Sequence, residues 1–283
     1  MPLVPWFKRI CGCAKIFEHS LDIAFDALMR AAAKSFLALV VLTLPRAVHG
    51  GPPFVTDDPE PVEFRHWEIL LATQQYHSAE GWNGTGPHLE VNYGPAPDVQ
   101  LHVILPLAYN RPAHSLSRWG YGDTELGIKY RFLHETDSRP QIGFYPIVEL
   151  PTGSHSEDLG NGKAQLLVPL WLQKKAGDWI TFGGGGYWFN PGQGNHDYWF
   201  AGWSLQHRAP KVLNSGLEIQ FRSPVAVGVP ASVALNGGFT WDLSETSHIL
   251  FSAGHTIVGR SEFQGYCAFE LTLGPRERGK DKK

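Results

Sequence analysis

The chain of 283 residues is short of charge: Asp, Glu, Lys and Arg make up 18% of it, where about 25% is usual. Basic residues number 24 and acidic residues 27, a formal net charge of -3, which excludes the basic surface of a nucleic-acid binder. Cysteine occurs three times. Cys11 and Cys13 lie ahead of residue 50, so the rest of the chain keeps Cys267 alone and holds neither an internal disulfide nor a thiol metal cluster. No uncharged apolar run reaches the ~18 residues of a membrane-spanning helix, and mean hydropathy is -0.19. Catalytic signatures are missing too: there is no GxSxG, no HExxH and no EF-hand loop. His155-Ser156-Glu157 and His114-Ser115 are neighbours in sequence, whereas a catalytic triad is a relation in space. The reading is of a protein that is not an enzyme and needs no cofactor or metal.

Glycine and aromatics are plentiful, with 31 Gly and 10 Trp. Low charge with this composition leaves two classes, a secreted β-sandwich or a membrane β-barrel. Residues 1–50 differ in character from the rest of the chain. Their one apolar stretch, 35–44, is too short to span a bilayer and fits the hydrophobic region of a signal peptide, preceded by Arg30 and Lys34. Val48 and Gly50 suit the -3 and -1 positions of a cleavage site near Gly50. Residues 1–28 read either as a long amino-terminal region or as an extension ahead of a start at Met29. The expected organisation is an extension plus signal peptide over 1–50, a Pro-rich segment over 51–61, a barrel over 62–274 and a basic tail over 275–283.

Beyond Pro61 the sequence alternates between apolar and polar residues, with breaks at Gly, Pro, Asn and Asp. In 122–132, Thr124, Leu126, Ile128, Tyr130 and Phe132 share one side; Asp123, Glu125, Lys129 and Arg131 share the other. In 99–109 the apolar side is unbroken and the opposite side carries Gln100 and His102. About twelve such segments (10–14 as the range) begin near Phe64, Pro87, Asp98, Gly122, Pro140, Gly162, Asp178, His196, Val212, Pro230, Thr246 and Glu262. Most run to 10–13 residues, long for soluble strands and right for strands tilted across a bilayer. Short connections, such as 94–97 and 243–246, alternate with long ones, such as 77–86, 110–120 and 151–162. Short periplasmic turns and longer outer loops mark outer-membrane barrels. Trp and Tyr near segment ends, among them Tyr76, Trp82, Trp119, Trp171, Trp188 and Trp199, are expected in interfacial girdles. The expectation is an all-β, antiparallel up-and-down barrel.

The stretches 50–61 (GGPPFVTDDPEP), 122–132 (GDTELGIKYRF) and 146–154 (PIVELPTGS), with His66-Trp67-Glu68, resemble the outer-membrane transporters of the "MetA-pathway of phenol degradation" family, over about residues 51–274. The resemblance implies a Gram-negative outer-membrane location, passive passage of small hydrophobic or aromatic compounds, and no catalytic residues. The partners it implies are the outer-membrane bilayer, the solute and the barrel-assembly machinery. One departure is the end of the chain: many such barrels close on an aromatic residue, whereas here Pro275 and a basic tail follow Leu273. Two alternatives remain, a secreted or periplasmic carbohydrate-binding β-sandwich and an outer-membrane lipid hydrolase.

A charge on the lipid face costs up to ~2–4 kcal/mol near the midplane, so the charged side of each strand is expected to face the lumen. His102, Asp123, Glu125, Lys129, Arg131 and Glu149 are the candidate solute pathway, the last five as a constriction of the kind that sets pore selectivity. Pro106, Pro146 and Pro169 fall inside strands, remove ladder donors, and are candidate kinks through which an apolar solute leaves sideways. Residues 51–61, with Asp57 and Asp58, are expected to enter or cap the periplasmic mouth as a plug. The glycine run 183–186 is expected to allow tight curvature or the close approach of another segment, with 51–61 as the candidate.

Overall fold

The structure is a computed structural model and describes residues 53–209 and 212–275. It is a single antiparallel sheet rolled shut. The strands are β1 (Trp67–Ser78), β2 (Gly81–Ala96), β3 (Val99–Pro112), β4 (Arg118–Tyr121), β5 (Thr124–Leu133), β6 (Gln141–Phe144), β7 (Ile147–Leu150), β8 (Gln165–Ala176), β9 (Trp179–Phe189), β10 (Tyr198–Ala209), β11 (Leu213–Arg222), β12 (Ser232–Asp242), β13 (Ser247–Val258) and β14 (Phe263–Leu273). β4 and β5 both pair with β3 and are halves of one strand broken at Gly122 and Asp123; β6 and β7 both pair with β8 and are broken at Tyr145 and Pro146. Fourteen segments therefore make twelve wall strands. β1 pairs with β14 over eleven positions, which closes the barrel and leaves no edge. A single closed sheet is not a sandwich, so the β-sandwich alternative falls.

Burial is inverted relative to a soluble protein. Leu71, Leu101, Leu105, Ile128, Leu217 and Ile219 point outward and are 41–61% exposed. Their chain neighbours Gln100, Glu218 and Gln220 point inward and are buried. Alternation that brings apolar side chains out and polar ones in belongs to a wall bathed in lipid. Trp67, Trp119, Trp179, Trp199 and Trp241 lie near strand ends and are exposed, as a girdle requires.

Two expected loops are strands. β1 and β2 run out to Ser78 and Gly81, with Gln74 opposite Thr85 and Tyr76 opposite Asn83, so only Ala79 and Glu80 connect them where 77–86 reads as a loop. β3 likewise continues to Pro112 and β4 begins at Arg118, inside the expected loop 110–120. Over these stretches the local alternation fades while the hydrogen-bonded ladder persists. The aromatic reading also needs correction: Trp171 is 2% exposed and, with Trp188 and Tyr76, faces the lumen. The expectations for residues 1–52 and for 276–283 fall outside the described residues.

Candidate functional site

The N-terminal segment lies inside the barrel. Its prolines, Pro53, Pro59 and Pro61, bring no backbone N–H that would need an acceptor. Its remaining polar groups bond to the wall in nearly every direction. Ser252 Oγ on β13 donates to the Pro53 carbonyl at 2.5 Å. Thr56 N–H donates to Glu218 Oε1 on β11 at 2.5 Å. Lys129 Nζ on β5 donates to Asp57 Oδ1 at 2.9 Å. Glu60 Oε2 accepts from Lys175 Nζ at 2.8 Å, Gln173 Nε2 at 2.9 Å and Gln141 Nε2 at 3.2 Å. Val62 N–H donates to Gln100 Oε1 on β3 at 2.9 Å. Phe54 packs on Ile180 and Phe182 of β9. Burial pushes the Asp58 carboxyl up to about 7; nearby Lys129 moderates the rise, and Asp57 and Glu60 add to it.

Glycines in the wall admit this segment, but not the run 183–186. A Cβ at Gly143 would lie 2.8 Å from Pro59 Cβ, one at Gly202 would collide with the Thr56 side chain, and one at Gly238 would lie 3.2 Å from Phe54. The glycines of 183–186 instead receive backbone and side chains of the adjoining strands β8 and β10.

The five charges expected to form one constriction fall at four levels. Arg131 sits low, donating to Asp98 Oδ1 from Nε at 2.9 Å and from Nη2 at 2.7 Å beside the β2–β3 turn. Lys129 lies next above it, paired with Asp57, its Nζ 4.8 Å from the centre of the Tyr145 ring. Glu125 and Glu149 are direct cross-strand partners some six residues, or ~20 Å of strand, above Arg131. Asp123, at the break between β4 and β5, is a brace. Its Oδ1 accepts Gly153 N–H at 2.9 Å and its Oδ2 accepts Asn161 N–H at 2.6 Å, pinning the ends of the loop between β7 and β8. Leu159 of that loop is buried and lines a cleft at the outer mouth.

His102 links two of the acids. Asn92 Nδ2 donates to Glu90 Oε1 at 2.9 Å, which turns Asn92 Oδ1 toward His102 Nδ1 at 2.7 Å. His102 Nε2 faces Glu125 Oε1 at 2.9 Å. Both ring nitrogens thus face acceptors, the arrangement that suits an imidazolium.

The three prolines differ. Pro106 lies opposite the β4–β5 break, and its carbonyl accepts Gly122 N–H at 3.0 Å. Pro146 forms the β6–β7 break, with its carbonyl accepting Ile128 N–H at 3.2 Å. Pro169 is fully buried and pairs with Gly186 in unbroken register, while on its other side the β8 ladder skips from Leu167 to Leu170, beside the Pro146 break. His155 and Ser156, relevant to a hydrolase, bond elsewhere: His155 Nδ1 to the Gly160 carbonyl at 3.3 Å and Ser156 Oγ to Ser154 Oγ at 3.2 Å.

Three spaces succeed one another along the axis. A vestibule of 970 Å³ opens at the periplasmic mouth, lined by Arg65, Asp98, Arg131 and Arg208. A chamber of 540 Å³ lies on the other side of the N-terminal segment, and Glu60 and Val62 line both. An outer cleft of 480 Å³ meets the chamber at Tyr76, His88, Glu125 and Glu149, which line both spaces. The chamber has two unlike walls. Glu68, Glu90, His102 and Glu125 come from β1–β5; Leu167, Trp171, Trp188, Tyr198 and Phe200 come from β8–β10. Trp188 and Tyr198 stack at 5.8 Å with 7° between their planes, and Trp171 meets Phe200 edge to face at 6.0 Å. Sequence reasoning missed this aromatic wall. The signal was available in period 2, because Trp171 shares its side of β8 with Gln165 and Gln173, and Phe200 shares its side of β10 with Ser204 and Gln206.

A closed twelve-strand wall, apolar outside and polar inside, defines an outer-membrane β-barrel of channel architecture. The chain belongs to the family described as "MetA-pathway of phenol degradation", whose model matches residues 81–268. None of the curated proteins matches it in sequence. Among solved structures it is similar to an outer-membrane channel from Pseudomonas putida F1, at 13% identity and a TM-score of 0.59, covering 76% of this chain and 98% of that one. It is also similar to the KdgM porin in complex with oligogalacturonate (10% identity, TM-score 0.52, 73% and 99% covered). The NanC porin is a third such structure (6% identity, TM-score 0.53, 72% and 100% covered). At these identities the likeness concerns the fold.

Proposed function

We propose that the chain is a passive channel for small hydrophobic or aromatic compounds, and that residues 53–62, with Asp57 and Asp58, act as its plug. The observation that carries this is the chamber's wall of Leu167, Trp171, Trp188, Tyr198 and Phe200, an aromatic and apolar surface that shares the chamber with Glu68, Glu90, His102 and Glu125. Flat apolar rings gain dispersion contact and offset stacking on such a wall. Diffusion down a gradient needs no cofactor and no covalent step. The low ion pairs, Asp57 to Lys129 and Glu60 to Lys175, hold the plug across the path; a solute crosses when they open. The barrel-assembly machinery is the proposed partner in biogenesis. Influx of a small aromatic into vesicles holding the folded chain, compared with protein-free vesicles, tests the reading. Removal of residues 53–62 should raise the rate further.

A further inference from the structure

Resting on that reading of the lumen, the geometry points to a binding site for aryl-alkyl ammonium compounds on the inner arc from Glu125 and Glu149 to Trp188 and Tyr198. Going round the wall, Glu125 on β5 faces Glu149 on β7, and Glu149 faces Gln165 on β8. Two positions along, Ile147 faces Leu167, which faces Trp188 on β9, which faces Tyr198 on β10. These inward residues line one chamber. Carboxylates at one end and a stacked aromatic pair at the other share a continuous surface.

The acidic end is only partly compensated. Two like charges directly opposite on neighbouring strands repel. Glu125 meets His102 at 2.9 Å, whereas none of the ion pairs among the described residues involves Glu149. The other cations lining the chamber are engaged, Lys129 with Asp57 and Arg222 with Tyr76, Tyr198 and Glu262. An entering ammonium group relieves the repulsion and donates hydrogen bonds to acceptor-only oxygens. An entering carboxylate is repelled by Glu125 instead. Glu149 and Trp188 stand two strand spacings and two positions apart, about 12 Å between backbones, a gap that their inward side chains narrow.

A second feature points to a ligand. The indole N–H groups of Trp171, 2% exposed, and of Trp188 have no acceptor among the described residues, and both residues line the chamber. Both nitrogens are closed to solvent, so a ring hydroxyl reaches them only as the indoles turn toward the chamber, and a hydroxylated aryl amine that turns them should bind more tightly than its parent.

The test is equilibrium binding to the folded full chain in detergent, by titration calorimetry and tryptophan fluorescence, with phenethylamine, tyramine, butylamine and phenylacetate. Phenethylamine is expected to bind about tenfold more tightly than butylamine or phenylacetate, and tyramine more tightly still. The E125Q/E149Q double variant should lose about tenfold for the two aryl amines and bind phenylacetate more tightly than the parent does. E149Q alone serves if the double variant fails to fold. Equal binding of phenylacetate and phenethylamine, or unchanged amine binding in the folded variant, overturns the inference. If the amines bind as expected and no aromatic enters vesicles, the transport reading fails and the site stands.

Discussion

Asp57 and Lys129 meet at 2.9 Å inside the barrel, one from the segment ahead of the first strand and the other from β5. The Lys129 side chain is 6% exposed, so its charge depends on that carboxylate. Removing one partner of a buried pair costs about 3–5 kcal/mol, because the other charge is left buried. Lys129→Met removes the cation and frees the segment without leaving a buried ammonium. Single-channel recording should show a larger conductance or more frequent opening than in the parent. Unchanged conductance would mean that the segment does not obstruct the path.

Asp58 makes docking of the segment depend on pH. Inside the barrel its carboxyl titrates near 7, and once released it returns to the ordinary range near 4. The docked form therefore holds the proton more tightly. The Asp58 contribution to docking weakens as pH rises from about 4 toward 7, and changes no further once both forms are ionised. Open probability is expected to rise over that interval, and Asp58→Asn should flatten the profile.

Asp123 accepts two backbone N–H groups at the ends of the loop between β7 and β8. Asp123→Ala leaves both without that acceptor, at about 1–3 kcal/mol each where they are buried. Hydrogen exchange should quicken over residues 151–164 and stay unchanged in β9–β12. Uniform acceleration would assign Asp123 a role in the whole barrel.

The lipid-facing assignment has its own check. Ile219 is 49% exposed on β11, between the inward-facing Glu218 and Gln220. Ile219→Arg is expected to cost about 2–4 kcal/mol if the position lies near the midplane, and Ile219→Val little. The folded fraction on heat-modifiable gels reads the difference.

The wall is legible in the sequence and the plug's contacts are not, for one physical reason. Lipid on one side and a polar lumen on the other impose period 2 on each strand separately, so Leu126, Ile128 and Lys129 declare their sides from local sequence. The pattern fades in the β1–β2 extension, where the ladder persists. Contacts inside the lumen join residues far apart in the chain: 72 positions separate Asp57 from Lys129, and 199 separate Pro53 from Ser252. Nothing local selects those pairs. Asp57 and Asp58 are noticeable in sequence, but that one takes Lys129 and the other is buried follows only from closure of the barrel. Trp171 escapes the girdle expectation because its side of the strand, and not its residue type, decides where it points.

The most direct test of the central claim is solute flux. The full chain is folded into vesicles, and influx of a small aromatic compound is followed by stopped flow beside the variant lacking residues 53–62 and protein-free vesicles. The account expects influx faster than in protein-free vesicles for the full chain, and faster again for the shortened one. Equal rates in all three would contradict it.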